Sequence, residues 1–257
     1  MLLAVDVGNT NVTVALFEGE RLAADWRVTS HRERTADEMA VELRQLFDLR
    51  GLEFSVVTGV VISSVVPNLN AALLEASRRY LKCEPVMVGP GVKTSVRIRA
   101  ENPKEVGADR IANALAAFTK YGGPVVVIDF GTAVTYDAIS KDGDYLGGAI
   151  APGIEISLDA LISQTAMLRR VEPVAPDSVI GRNTVTSIQS GLMWGFVAQV
   201  EGMVARMVSE LGGSAHVVAT GGQAALVAGL THVIEATDPL LTLEGLRLIY
   251  LQNADGR

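Results

Sequence analysis

An aspartate that ends an apolar run and is followed two residues later by glycine occurs twice in this chain, 123 residues apart. The first copy is LLAVDVGNTNVTVAL, Leu2 to Leu16. Leu2 to Val5 reads as a buried strand, Asp6 closes it, and Gly8, Asn9, Thr10 and Asn11 make a polar turn. Val12, Val14 and Leu16 then alternate with Thr13 and Ala15, the period of a second strand. VVVIDFGTAVTYDAI, Val125 to Ile139, repeats the design with Asp129, Gly131 and Thr132 at the turn and Val134 and Tyr136 alternating after it. Two such hairpins at half the chain length predict a duplicated domain.

The turn has a chemical logic. Gly8 lets backbone N–H groups approach an anion with no Cβ in the way. Asn9, Thr10 and Asn11 add donors, and Asp6 could hold a divalent cation through water. Together they suit a polyphosphate with its Mg²⁺, although Asn, Asp and Gly also furnish ordinary hairpin turns. The second copy favours the phosphate reading, and the expected arrangement is two hairpins clasping one nucleotide.

Paired hairpins of this kind resemble the acetate kinase, sugar kinase, Hsp70 and actin superfamily. Further motifs narrow the likeness: DVGNTN at Asp6 to Asn11, GADR at Gly107 to Arg110, DFGTAVTYD at Asp129 to Asp137, GGAIAPG at Gly147 to Gly153, and IGRNT at Ile180 to Thr184. In this order and spacing they are similar to type III pantothenate kinases, from Met1 to about Gly222.

That resemblance implies an α/β protein with a duplicated ribonuclease H-like (actin-like ATPase) fold, a mixed five-stranded sheet with helices in each half. The halves are expected at 1–121 and 122–257, Gly122-Gly123-Pro124 marking the join. It also implies ATP-dependent phosphorylation of pantothenate, with Asp109 as catalytic base and Gly107, Ala108, Asp109, Arg110 and Thr184 lining the substrate site. Asp6 would orient Mg²⁺ through water, the Gly8–Asn11 and Gly131-Thr132 turns would hold the phosphates, and Asp129 would bind a monovalent cation, K⁺ or NH₄⁺. Gly221-Gly222, after an apolar strand, resembles the superfamily's adenosine loop. A homodimer is implied, with the long apolar helix as the expected contact. Taken alone, Asp109 beside Arg110 reads as a surface ion pair. One departure stands out: Ala100 occupies a place where the family often has tyrosine, which removes a pocket wall or a hydroxyl contact.

Composition narrows the alternatives. Apolar residues make up 49% and charged residues 20%, so the chain has ample material for a core. Net charge is −7 with no block of Lys or Arg, which argues against nucleic acid as the main partner. Cys83 is the single cysteine, so no disulfide forms within the chain, and a reducing cytoplasm is expected. Val56 to Val66 is too short and too interrupted to span a membrane. No GxxxxGK[ST] excludes a P-loop kinase, and His31, His216 and His232 lack metal-ligand spacing. Two other readings stay open: a phosphohydrolase of the same superfamily, and a non-catalytic nucleotide-binding regulatory relative.

Along the chain, Thr35-Ala36-Asp37-Glu38 is a capping box opening a helix with Met39, Leu43, Leu46 and Leu49 on one face. Val56 to Ser63 is a strand whose polar end, Ser63-Ser64, is placed either to meet a ligand or simply to connect into a helix at Pro67. Helices are expected over 69–81, 103–120 (burying Ile111, Leu115 and Phe118), after Gly153 (burying Ile156, Leu158, Leu161 and Ile162), over 187–211 and over 239–252. A strand is expected over 216–220.

Overall fold

The computed structural model describes residues 1–254, and its two sheets repeat one topology. Strands β1 (Leu2–Val7), β2 (Asn11–Glu18), β3 (Arg21–Thr29), β4 (Gly59–Ser64) and β5 (Val86–Met87) lie in the order β3-β2-β1-β4-β5. Strands β6 (Val125–Phe130), β7 (Ala133–Ile139), β8 (Tyr145–Pro152), β9 (His216–Thr220) and β10 (Ala236–Thr237) lie in the order β10-β9-β6-β7-β8. Antiparallel β1/β2 and β2/β3 match β6/β7 and β7/β8. Parallel β1/β4 and β4/β5 match β6/β9 and β9/β10. The central strands are apolar runs because both their faces are covered: Val125, Val126, Val127 and Ile128 are all fully buried.

The chain forms two compact units. Met1–Val96, Glu101–Ala116 and the stretch from Leu241 on make the first; Arg97–Ala100 and Ala117–Leu240 make the second. This differs from a cut at 121/122, and the reason is packing. Helix α7 (Leu241–Ala254) returns to lie on the first sheet. Gly59 of β4 admits it, since a Cβ there would stand 2.1 Å from the Tyr250 hydroxyl. Gly245 of α7 admits helix α3 (Ala108–Tyr121), since a Cβ there would stand 2.0 Å from the Ala112 carbonyl oxygen. Thr242 then donates to Asn113 Oδ1 at 2.7 Å. Residues 97–100 join the second unit because Arg97 and Arg99 bond the Tyr145 backbone at 2.9 and 2.8 Å.

In the first unit, alternation sends Leu3, Val5, Val7, Val14, Leu16, Val60 and Ile62 into one core with helices α1 (Ala36–Asp48) and α2 (Pro67–Arg79). The capping box at Thr35 is complete: Glu38 N–H donates to Thr35 Oγ1 at 3.3 Å and Thr35 N–H to Glu38 Oε2 at 2.8 Å. Phe47 seals the core against Trp26, ring to ring at 5.3 Å. Leu49, expected on the buried face, is the C-cap and is 80% exposed. The opposite face of this sheet carries Ala4, Asp6, Thr13, Val61 and Ser63, by the same alternation.

Helix α3 starts later than its pattern suggests. Pro103–Glu105 forms only a 3₁₀ turn, Asn102 accepts from Lys104 N–H, and Val106 is extended, so the α-helix begins after Gly107. Its Ile111 and Leu115 are buried as expected, while Phe118 is half-buried.

In the second unit, helix α5 (Thr184–Glu210) sets Ile188, Leu192, Phe196 and Val200 against Val126, Ile128, Phe130 and Tyr136. Its apolar stripe is therefore largely occupied within its own unit. Helix α4 (Ile154–Ser163) buries Ile154 and Leu158, one i,i+4 pair, whereas Ile156 and Leu161 point outward at 43% and 41% exposure. Helix α6 (Ala224–Ala228) follows β9.

Candidate active site

Register places the two strand-end acids in equivalent settings. Asp6 pairs with Thr13 on β2 and Ser63 on β4; Asp129 pairs with Thr135 on β7 and Thr220 on β9. Directly paired residues share a face, so each carboxylate is flanked on both sides by hydroxyl side chains.

The turns beyond them are alike in plan and differ in length. Gly8 N–H donates to the Asn11 carbonyl at 2.9 Å, and Gly131 N–H to the Ala133 carbonyl at 3.0 Å. The glycine N–H groups thus close the hairpins, and the exposed tips are Asn9 and Thr10 in one unit and Thr132 in the other. Arg32 reaches Asn9 Oδ1 at 3.4 Å, bringing a cation to the first tip.

Two glycines build the second site, and one of them is an unread feature of its motif. Gly153 donates its N–H to the Thr132 carbonyl at 3.1 Å, and a Cβ there would stand 2.4 Å from that same oxygen. Helix α4 therefore begins against the Gly131-Thr132 turn with no side-chain cap, the setting in which a helix N-terminus holds an anion. Gly221, assigned by resemblance to an adenosine loop, has φ +90° and lies beneath the acid: a Cβ would be 2.5 Å from Asp129 Oδ1. Gly222 follows it, exposed. Nearby on β7, buried Asp137 accepts from the Tyr145 hydroxyl at 2.8 Å and from Thr135 Oγ1 at 3.1 Å. No spacing rule joins Asp137 to Tyr145, so only the fold reveals that pair.

Asp109 lies in the first turn of α3, with Ala108 before it. It is not an exposed ion pair. Burial pushes its carboxyl pKa up, while the Arg110 N–H, donating at 2.8 Å, and the Arg110 charge pull the other way without prevailing. Gly107 makes room for it, since a Cβ there would be 2.3 Å from Asp109 Oδ1.

Thr184 is the exposed first residue of α5. The IGRNT motif around it is a helix start. Asn183 caps by accepting from Thr186 N–H at 2.9 Å, and Gly181 packs where a Cβ would be 2.4 Å from the Ser187 nitrogen. An apolar cavity of about 90 Å³ lies elsewhere, on the α1/α2 face of the first sheet and away from the Asp6 face.

The donor set bears on a metal. Among the described residues no three His, Cys, Asp or Glu side chains gather to cage one. Mg²⁺ needs no such cage when it keeps its waters and is held by one carboxylate and the substrate's phosphates. Asp6, between two hydroxyl residues at a strand end, fits that demand. Asp129, with Thr135, Thr220 and the Gly221 backbone about it, is an all-oxygen setting suited to a hard cation.

A doubled five-stranded sheet with an acid–glycine turn in the first hairpin of each copy defines the actin-like ATPase and sugar kinase class. An inorganic polyphosphate/ATP-glucomannokinase from Arthrobacter sp. strain KM superposes with a TM-score of 0.51 at 13% identity, covering 100% of this chain and 99% of that one. A conserved Baf-family protein from Campylobacter jejuni gives 0.63 at 20% identity, covering 98% and 99%. Within that class the chain belongs to the type III pantothenate kinase family, whose sequence model matches residues 2–206. A type III pantothenate kinase from Moorella thermoacetica is 54% identical over 253 residues, 98% of this chain and 100% of the relative.

Proposed function

We propose that the chain transfers the γ-phosphoryl group of ATP to the primary hydroxyl of pantothenate, giving ADP and 4′-phosphopantothenate, the first step toward coenzyme A. Membership of the family over nearly the whole chain supports the reaction. The observation that carries the residue assignment is Asp109, a carboxylate whose burial makes it more basic than an ordinary aspartate.

Asp109 accepts the hydroxyl proton as the substrate oxygen attacks the γ-phosphorus in line and ADP departs. Phosphoryl transfer depends mostly on alignment and charge neutralisation, so placement of this carboxylate matters as much as its basicity. Arg110 pairs with the substrate's own carboxylate, and Gly107, Ala108 and Thr184 complete the pantothenate contacts. The tips at Asn9-Thr10-Asn11 and Gly131-Thr132 hold phosphate oxygens, and Gly8 and Gly131 shape those tips. Asp6 holds the waters of Mg²⁺, which when bound neutralises phosphate charge. Asp129 holds K⁺ or NH₄⁺, and Gly221-Gly222 contact the nucleotide.

A homodimer working in the cytoplasm accompanies this reading. No helix among the described residues is long and apolar enough to cross a membrane. Val179, Ile180 and Val185, at 65%, 80% and 52% exposure, offer apolar surface for a second copy that the buried stripe of α5 does not. Ala100, half-buried, removes a pocket wall or hydroxyl contact, a change that would either weaken pantothenate binding or alter its specificity.

An ADP-release assay with and without pantothenate, in K⁺ and in Na⁺ buffer, tests the proposal. Release that requires pantothenate and is faster in K⁺ is expected. Release indifferent to pantothenate would point to a phosphohydrolase instead.

A further inference from the structure

Ser63 ends a row on β4 that alternates onto the Asp6 face: Gly59, against Tyr250, then Val61, then Ser63. It stands directly across the parallel pair from Asp6. Its side chain is fully buried, and its hydroxyl has no hydrogen-bond partner. A buried hydroxyl left without a partner is unfavourable in the folded state. The next residue is the contrast. Ser64 Oγ accepts from Val66 N–H at 3.2 Å and so serves the connection into α2.

Strand register puts the Asp6 carboxylate beside Ser63. Side chains of directly paired residues are about 5 Å apart at Cβ, a span that a serine hydroxyl and a carboxylate oxygen close by rotation about χ1. The second sheet repeats the device, with the hydroxyl residue Thr220 across the parallel pair from Asp129.

We propose that Ser63 is a positioning residue for the metal–nucleotide site: when the metal-bound nucleotide is present, its hydroxyl donates to the Asp6 carboxylate and fixes the oxygen that meets the metal's water shell. This rests on the assignment of Asp6 to the divalent cation. Among the described residues no protein group pairs with the Ser63 hydroxyl, and the proposed bond accompanies ligand binding.

The test is ADP binding by calorimetry across a Mg²⁺ series, on the wild-type chain, Ser63→Ala and Ser63→Thr, together with melting of the ligand-free proteins. Loss of a hydrogen bond to a charged group predicts that Ser63→Ala needs about tenfold more Mg²⁺ for half-maximal ADP binding. Its ligand-free Tm stays the same or rises, because a buried orphan has been removed. Ser63→Thr, the residue type found beside Asp129, restores the wild-type Mg²⁺ requirement. A Ser63→Ala protein with an unchanged Mg²⁺ requirement would overturn the proposal, whatever its Tm. Pantothenate is absent from this experiment, so a failure of the assigned reaction would show separately, as wild-type ADP binding without pantothenate-dependent turnover.

Discussion

A Cβ on Gly107 would stand 2.3 Å from Asp109 Oδ1, so the glycine and the carboxylate occupy one space between them. The GADR motif is thus a steric unit as well as a chemical one. Gly107→Ala must push the carboxylate aside or turn it, and a displacement near 1 Å costs roughly 10²-fold in rate. Steady-state kinetics should show that loss in kcat, with KM for ATP little changed. A variant as fast as wild type would mean that Asp109 does not need this placement.

Burial raises the Asp109 pKa in the folded chain, so the folded state holds that proton more tightly than the unfolded state does. Below the unfolded value, about 3.9, both states are protonated and the acid costs nothing; the cost appears as pH climbs through the raised folded value. Asp109→Asn removes it. Melting across pH should find the variant more stable than wild type near neutrality, with the difference shrinking in acid. The wild-type kcat/KM should fall on the acid side as the same group takes up its proton.

At Gly221 two constraints coincide: φ is +90°, and a Cβ would lie 2.5 Å from Asp129 Oδ1 and 2.7 Å from the Phe130 backbone. Gly221→Ala should cost about 2 kcal/mol or more, a drop in Tm of roughly 4–8 °C. It should also weaken activation by K⁺, since Asp129 has to move. Thermal melting and a K⁺ titration of activity check both outcomes.

Tyr136 is fully buried in the second unit's core, its hydroxyl has no hydrogen-bond partner, and burial pushes its pKa up to about 12. Removing an unpaired buried hydroxyl is neutral or favourable. Tyr136→Phe should melt at or above the wild-type temperature with unchanged kinetics. A clear fall in Tm would reveal a partner for that oxygen, such as an ordered water.

The hairpins were legible because strand period and the Asp-x-Gly turn are local properties, and they recur. Their tips were less so: the second turn is one residue shorter, from Gly131 to Ala133 against Gly8 to Asn11, which an ungapped match through Gly131 does not reveal. The sequence pattern starts α3 too early because Pro103 is a good first helical residue, while the extended Val106 depends on its surroundings. The last helix follows the second sheet in chain order yet packs on the first, at Gly59 and Gly245, and chain order carries no sign of such a return. Motif letters single out Asp109, Asp6 and Asp129 as candidates. The roles of Gly107, Gly153 and Gly221 rest on how little room the folded chain leaves there: a Cβ at each would come within 3 Å of a neighbouring atom.

The most direct measurement is a single-turnover comparison of wild type and Asp109→Asn, following 4′-phosphopantothenate by mass spectrometry from preformed enzyme–ATP. The expected result is a loss of at least about 10²-fold in the rate of product formation, with ATP binding retained and the fold at least as stable. Product formed by Asp109→Asn at the wild-type rate would contradict the account, because the buried acid of α3 would then have no part in the chemistry.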